Sequence, residues 1–147
     1  MIVAELIKDT TIYLKKCGLS TNKSDEENTE ILNKIITFCN ENDNYKIVFD
    51  DNYTIKGFTL TNNNIDISGS SDKIEIITTD EIKINSNFNF IHDIKFMINT
   101  DIILLNVSGK YNNFDNLYLY GNNDNTGIGV NVTNYCNEFT NCSIREF

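Results

Sequence analysis

Residues 91–96 read Ile91-His92-Asp93-Ile94-Lys95-Phe96, residues 114–119 read Phe114-Asp115-Asn116-Leu117-Tyr118-Leu119, and residues 139–144 read Phe139-Thr140-Asn141-Cys142-Ser143-Ile144. Each segment has an apolar residue or cysteine at its first, fourth and sixth places and an Asp or Asn at its third. A shorter motif precedes each: Ile82-Lys83-Ile84, Leu105-Asn106-Val107 and Val130-Asn131-Val132, each starting nine positions before the longer one. Apolar residues flanking an outward residue are the mark of very short strands. Successive copies lie 23 and 25 residues apart. A near-constant period of this size, built from tiny strands, is one coil of a solenoid that buries its apolar side chains only by stacking on its neighbours. The regular Leu-x-x-Leu-x-Leu frame of a leucine-rich repeat is absent.

Stacking the copies predicts three columns. Ile91, Phe114 and Phe139 form one inward column, and Ile94, Leu117 and Cys142 another. Asp93, Asn116 and Asn141 form a turn column in which stacked Asn side chains hydrogen-bond along the axis. The pattern extends upstream through Lys46-Ile47-Val48-Phe49, Tyr53-Thr54-Ile55, Phe58-Thr59-Leu60, Ile65-Asp66-Ile67 and Ile74-Glu75-Ile76, separated by Asn, Asp, Gly and Ser. Asparagine supplies 25 of the 147 residues and proline none. Asn tolerates left-handed backbone, so this abundance suits a fold that turns every few residues.

Before the strands the period changes. Ile31, Leu32, Ile35, Ile36, Phe38 and Cys39 recur at helical spacing. Ser24 and Glu27 have the spacing of a capping box, and Asp25, Glu26 and Glu27 sit where the helix dipole favours anions. A helix is therefore expected over residues 24–41. Thr10 to Leu14 is β-rich and suits a first strand, while Ile2, Val3, Leu6 and Ile7 suit the inner stripe of a short helix. The expected division is residues 1–44 as an N-terminal segment with its capping helix, and 45–147 as coils, forming one domain.

The formal net charge is −9, which argues against phosphate-backbone binding and so against a nucleic-acid partner. No apolar run is long enough to insert in a membrane, and no signal peptide is visible. Cys17, Cys39, Cys136 and Cys142 show no paired metal-ligand spacing, and His92 is the only histidine. Reduced, mostly structural thiols are expected, with no metal and no cofactor.

The order helix, strand, turn, strand and coils resembles the pectate-lyase-like right-handed parallel β-helix superfamily. The matching segments are Glu27-Asn28-Thr29 opening the helix and Phe49-Asp50-Asp51-Asn52-Tyr53-Thr54 entering the first coil. The usual Pro-Pro-Gly turn of that family is replaced by Asp50-Asp51-Asn52. The resemblance implies an all-β solenoid, a right-handed parallel β-helix with an N-terminal capping α-helix. It extends to the N-terminal part of phage tail spikes and receptor-binding proteins, and so implies a virion-tail or cell-surface location, a surface glycan or host receptor as partner, and a homotrimer. A polysaccharide lyase or glycoside hydrolase is the alternative it implies.

Candidate site residues are few. Hydrolysis of a glycosidic bond needs two carboxyls flanking it. Asp93, Asp101, Asp115, Asp124 and Glu138 are the acids considered, and they are not expected to share one outward column. Asp93 and Asp115 are the catalytic candidates, with His92, expected outward and without a partner, as a possible acid or base. Tyr118, between inward Leu117 and Leu119, is expected to face solvent. With Tyr120 and Tyr111 it is a candidate for stacking on sugar rings; Tyr135 is a further surface aromatic. The sequence stops at Arg145-Glu146-Phe147 without a polar or helical cap, so continuation into a longer chain, or a trimer covering the end, is expected.

Overall fold

The computed structural model describes residues 10–42, 44–121 and 126–147. Among them, thirteen short strands, a four-residue 3-10 turn and one α-helix form a parallel β-solenoid. The proposed helix at Ile2 to Ile7 lies outside the described residues, as does Asp124.

The predicted first strand exists as β1 (Thr11–Tyr13), followed by the 3-10 turn Leu14–Cys17. The helix α1 spans Asp25–Asn40. Its capping box is complete: Glu27 N donates to Ser24 Oγ, and Ser24 N donates to Glu27 Oε2, both at 3.2 Å. Leu32, Ile35, Ile36 and Cys39 form its buried stripe. Asn28 is buried on the same helix and donates to the carbonyls of Ser20 and Thr54, which ties the helix to the first coil.

Three sheet faces follow. The first carries β2 (Lys46–Phe49), β5 (Asp66–Gly69), the first part of β8 (Phe90–Ile98), the first part of β10 (Asn113–Tyr120) and β12 (Glu138–Thr140). The second carries β3 (Thr54–Ile55), β6 (Glu75–Thr78), the later parts of β8 and β10, and β13 (Ser143–Arg145). The third carries β4 (Phe58–Leu60), β7 (Ile82–Ile84), β9 (Ile103–Val107) and β11 (Ile128–Val132). All described pairings are parallel, as stacked coils of one hand of travel require. The register places Lys46 on Asp66, Asp66 on Phe90, Phe90 on Asn113 and Asn113 on Glu138, so the coils take 20, 24, 23 and 25 residues.

The core is made of columns. Ile12, Ile47, Ile67, Ile91 and Phe114 follow one another along the first face; Phe139 continues the column in register but, expected inward, is exposed, because no described coil stacks beyond it. Ile76, Phe96 and Leu119 follow one another along the second, where Ile144 continues the register but is 50% exposed, and Phe58, Ile82 and Leu105 along the third, which ends at the partly buried Val130. Each fully buried aliphatic side chain contributes about 1.5–3 kcal/mol, so the solenoid is held mainly by these columns. Cys142 is half-buried, with its Sγ 3.2 Å from the Thr140 carbonyl oxygen and 3.4 Å from that of Phe114, and packs against the core, in the neighbourhood predicted for it. Phe139 lies flat on Phe114, with ring centroids 4.5 Å apart.

Two columns of left-handed residues bend the coils. Asp93, Asn116 and Asn141 have φ of 53°, 52° and 54° and form the corner between the first and second faces, as their alignment predicts. Asn116 Nδ2 donates to Asp93 Oδ1 at 2.8 Å, one coil away. The second column was not foreseen. Asn44, Asn64, Phe88, Tyr111 and Cys136 have φ between 56° and 63° and stand at the entrance to the first face.

Candidate functional site

Two features lie along the first face, one at each edge. The first edge is the Asp93 corner. His92 points outward from β8, and its side chain is only 20% exposed. Its Nδ1 is 2.7 Å from Asp93 Oδ2 and its Nε2 is 2.9 Å from Asp66 Oδ1 on the preceding coil. The Phe90 ring stacks on the imidazole at 4.0 Å. Asp115 stands beside His92 in register on the following coil, and Asn141 Nδ2 donates to Asp115 Oδ1 at 3.2 Å. The expectation of a partnerless histidine is therefore corrected. Alternation turned His92 outward, as expected, but stacking put the Asp66 carboxylate on one nitrogen and the next residue, Asp93, takes the other.

The acids do not share one outward column: Asp93 stacks with Asn116 and Asn141, while Asp115 stands in register with His92 and Thr140. Asp93 and Asp115 nonetheless lie at the same corner as Asp66, an acid of the Ile65-Asp66-Ile67 segment that was not among the candidates. Asp101 and Glu138 do not join them. Both contacts of His92 are donated hydrogen bonds when both ring nitrogens carry hydrogen; with a neutral ring, one lone pair faces a carboxylate. A general base needs a nitrogen free to reach the substrate proton, and His92 has both engaged. Asp93 is held below the usual carboxylate range, first by the Asn116 amide and then by His92. The cluster is thus arranged to tie coils together. Among the described residues no group of three or more His, Cys, Asp or Glu side chains is set to hold a metal ion.

The other edge is the unforeseen turn column. Phe88, Tyr111 and Tyr135 project there on successive coils and are 55%, 48% and 58% exposed. The rings of Phe88 and Tyr111 are parallel within 4°, with centroids 5.2 Å apart, and Tyr135 stands edge-on to Tyr111 at 6.3 Å. The spacing follows from the coil rise of about 4.8 Å. Lys110 Nζ donates to Tyr135 Oη at 2.6 Å and sits 4.3 Å above its ring. That hydrogen bond raises the Lys110 ammonium above its ordinary value.

The backbone makes this ridge unusual. Left-handed φ suits Asn, which occupies the column at positions 44 and 64. Phe88 and Tyr111 adopt it with bulky side chains, at a cost on the order of 1–3 kcal/mol each. Interior asparagines hold the turn in place. Asn89 and Asn112 are buried, and Asn112 Oδ1 accepts from Asn89 N and Nδ2 at 2.9 and 3.0 Å. Asn137 Oδ1 accepts from Asn112 N and Nδ2 in the same way, at 3.0 and 3.1 Å. A rigid, satisfied interior under a ridge of half-exposed rings is a preorganised contact surface.

The candidate tyrosines do not converge. Tyr111 belongs to the ridge, together with Phe88, which the sequence reading missed, and Tyr135. Tyr118 and Tyr120 lie on the second face. Tyr118 faces solvent, as expected, and the Tyr120 ring lies 4.4 Å from Lys95 Nζ, which also pairs with Glu75. Compared with protein-family models, with curated proteins and with solved structures, the chain matches none.

Proposed function

We propose that this β-solenoid is a surface-recognition module that binds carbohydrate. The ridge of Phe88, Tyr111 and Tyr135 carries the reading. Exposed aromatic rings offer apolar faces and edges to the C–H surfaces of sugars. Neighbouring polar groups, Lys110 and Asn134 among them, offer hydrogen bonds to hydroxyls. The order of capping helix and coils, which resembles that of phage tail spikes and receptor-binding proteins, supports a place on a virion tail or cell surface, with a host glycan or receptor as partner and a homotrimer as the assembly. The alternative, the front part of a polysaccharide lyase or hydrolase, has less support because His92 has no free nitrogen.

Binding across a panel of neutral and acidic polysaccharides tests the reading. The chain is expected to retain at least one glycan, and Tyr111→Ser to weaken that binding about tenfold, a loss of about 1.4 kcal/mol. Failure to bind any member of the panel overturns it. Light scattering separates the trimer from a single-chain solenoid.

A further inference from the structure

Far from the ridge, the helix meets the first strand of the third face along a seam pinned at two places. Lys56 N donates to Thr29 Oγ1 at 2.7 Å, and Asn40 Nδ2 donates to Thr61 Oγ1 at 2.9 Å. Beside the seam lies a cavity of about 330 Å³, with Asn33 and Thr37 on the helix side and Phe58, Thr59 and Lys83 on the sheet side. That is a size for a small molecule and not for a folded partner.

The seam leaves polar groups unused. Strand β4 ends its sheet and pairs only with β7. Peptide groups alternate sides along a strand. Leu60 O accepts from Asn85 N on the next coil, so the adjoining Thr59 peptide turns its N–H and C=O the other way, to the free edge beside the helix. Asn40 Oδ1, on the cavity wall, is buried and accepts no hydrogen bond. The rim carries both signs of charge. Lys56 pairs with Glu26 and Lys83 with Glu81, each at 2.9 Å, and each ammonium keeps hydrogens to give. Both lysines are raised above their ordinary value, Lys56 by Glu26 first and Lys83 by Glu81 first, with Asp80 adding at each. Asp80 therefore stands near both lysines, on the same rim.

We infer that this cavity binds a short free peptide, and that a dipeptide suffices. Its amide pairs with the Thr59 N–H and C=O, as an added strand does at a free sheet edge. Its carboxylate meets Lys56 and Lys83, and its ammonium meets Asp80. A simple anion is opposed by Asp80 and Glu81, and a neutral ligand makes no use of the paired charges.

The test titrates alanyl-alanine, free alanine and N-acetyl-alanyl-alanine amide calorimetrically against the whole chain, with amide NMR to place the site. Alanyl-alanine is expected to bind and to shift the Thr59 amide, and the other two to bind at least about tenfold more weakly. Asp80→Asn is expected to weaken alanyl-alanine about tenfold and to leave the blocked form unchanged. Thr37→Trp, at an exposed helix position, is expected to fill the cavity and abolish binding with the melting temperature kept. No binding by alanyl-alanine, equal binding by free alanine, shifts away from Thr59, or full affinity in Asp80→Asn overturns the peptide site. The ridge lies elsewhere, so its carbohydrate reading stands or falls separately.

Discussion

Asn112 lies one coil beyond Asn89, and its Oδ1 accepts hydrogen bonds from both the backbone N and the Nδ2 of Asn89, at 2.9 and 3.0 Å. Its own Nδ2 donates to the Ser86 carbonyl and to Asn137 Oδ1. A buried amide with all its hydrogen bonds made is stabilising, and its removal strands several partners. Asn112→Ala is expected to cost on the order of 3 kcal/mol in urea unfolding. Asn112→Asp is expected to be no better, because it loses the donors and buries a charge. A loss under about 0.5 kcal/mol in either variant would show that the ladder does not hold the turn.

Gly109 precedes the same turn by two residues. A Cβ built there would lie 1.7 Å from the Ser86 carbonyl oxygen, which is backbone and cannot swing aside. Gly109→Ala is therefore expected to force neighbouring coils apart and to destabilise the chain by about 2–4 kcal/mol. Thermal unfolding by circular dichroism measures it.

His92 joins Asp66 to Asp93 across two coils. Replacing it with Gln removes the ring that contacts both carboxylates. The three side chains are partly exposed, so solvent screens the effect, and a loss of about 1 kcal/mol is expected. The loss should shrink as salt is raised. A salt-independent loss would assign the role of His92 to its packing against Phe90.

Asp93 has a folded pKa below its ordinary value, through Asn116 first and His92 second. The carboxylate form is the one the fold favours. Its contribution is present above the unfolded pKa, about 3.9, and is lost as pH falls through the lower folded value. Asn116→Ala is expected to move the Asp93 titration upward, followed by NMR of its carboxyl carbon, and to raise the pH at which acid unfolding begins. An unmoved titration would mean the Asn116 amide does not set it.

Cys39 is buried and its thiol is pushed up to about 12 by burial, with Cys17 adding to the shift, while Cys136 is exposed. The thiolate is the reactive form. Iodoacetamide at pH 8 is expected to label Cys136 rapidly and Cys39 only after unfolding. Mass spectrometry of the labelled peptides reads the order.

Much of the architecture was readable along the chain. The helix could be bounded because Ser24 and Glu27 cap it locally. The corner at Asp93, Asn116 and Asn141 could be found because Asp and Asn are the residues that accept left-handed backbone cheaply. The second corner was hidden for the same reason. Phe88, Tyr111 and Cys136 do not look like turn residues, and the two asparagines of that column, Asn44 and Asn64, are lost among the many others. The Asp66 partner of His92 was hidden because it lies 26 residues upstream, whereas Asp93 is the next residue. Only the upstream carboxylate reveals a link between coils.

What the sequence by itself determined was the period, the inward and outward side of each short strand, and the cap of the helix. These depend on residues a few positions apart, where strand alternation and hydrogen-bond reach are fixed by covalent geometry. The tertiary structure alone decided which outward groups meet. The coils take 20, 24, 23 and 25 residues, so the 23-residue offset that joins Asn89 to Asn112 and Phe88 to Tyr111 does not join Asp66 to His92, which lie 26 apart. Those pairings follow from the stacking register, which the buried columns set as they pack.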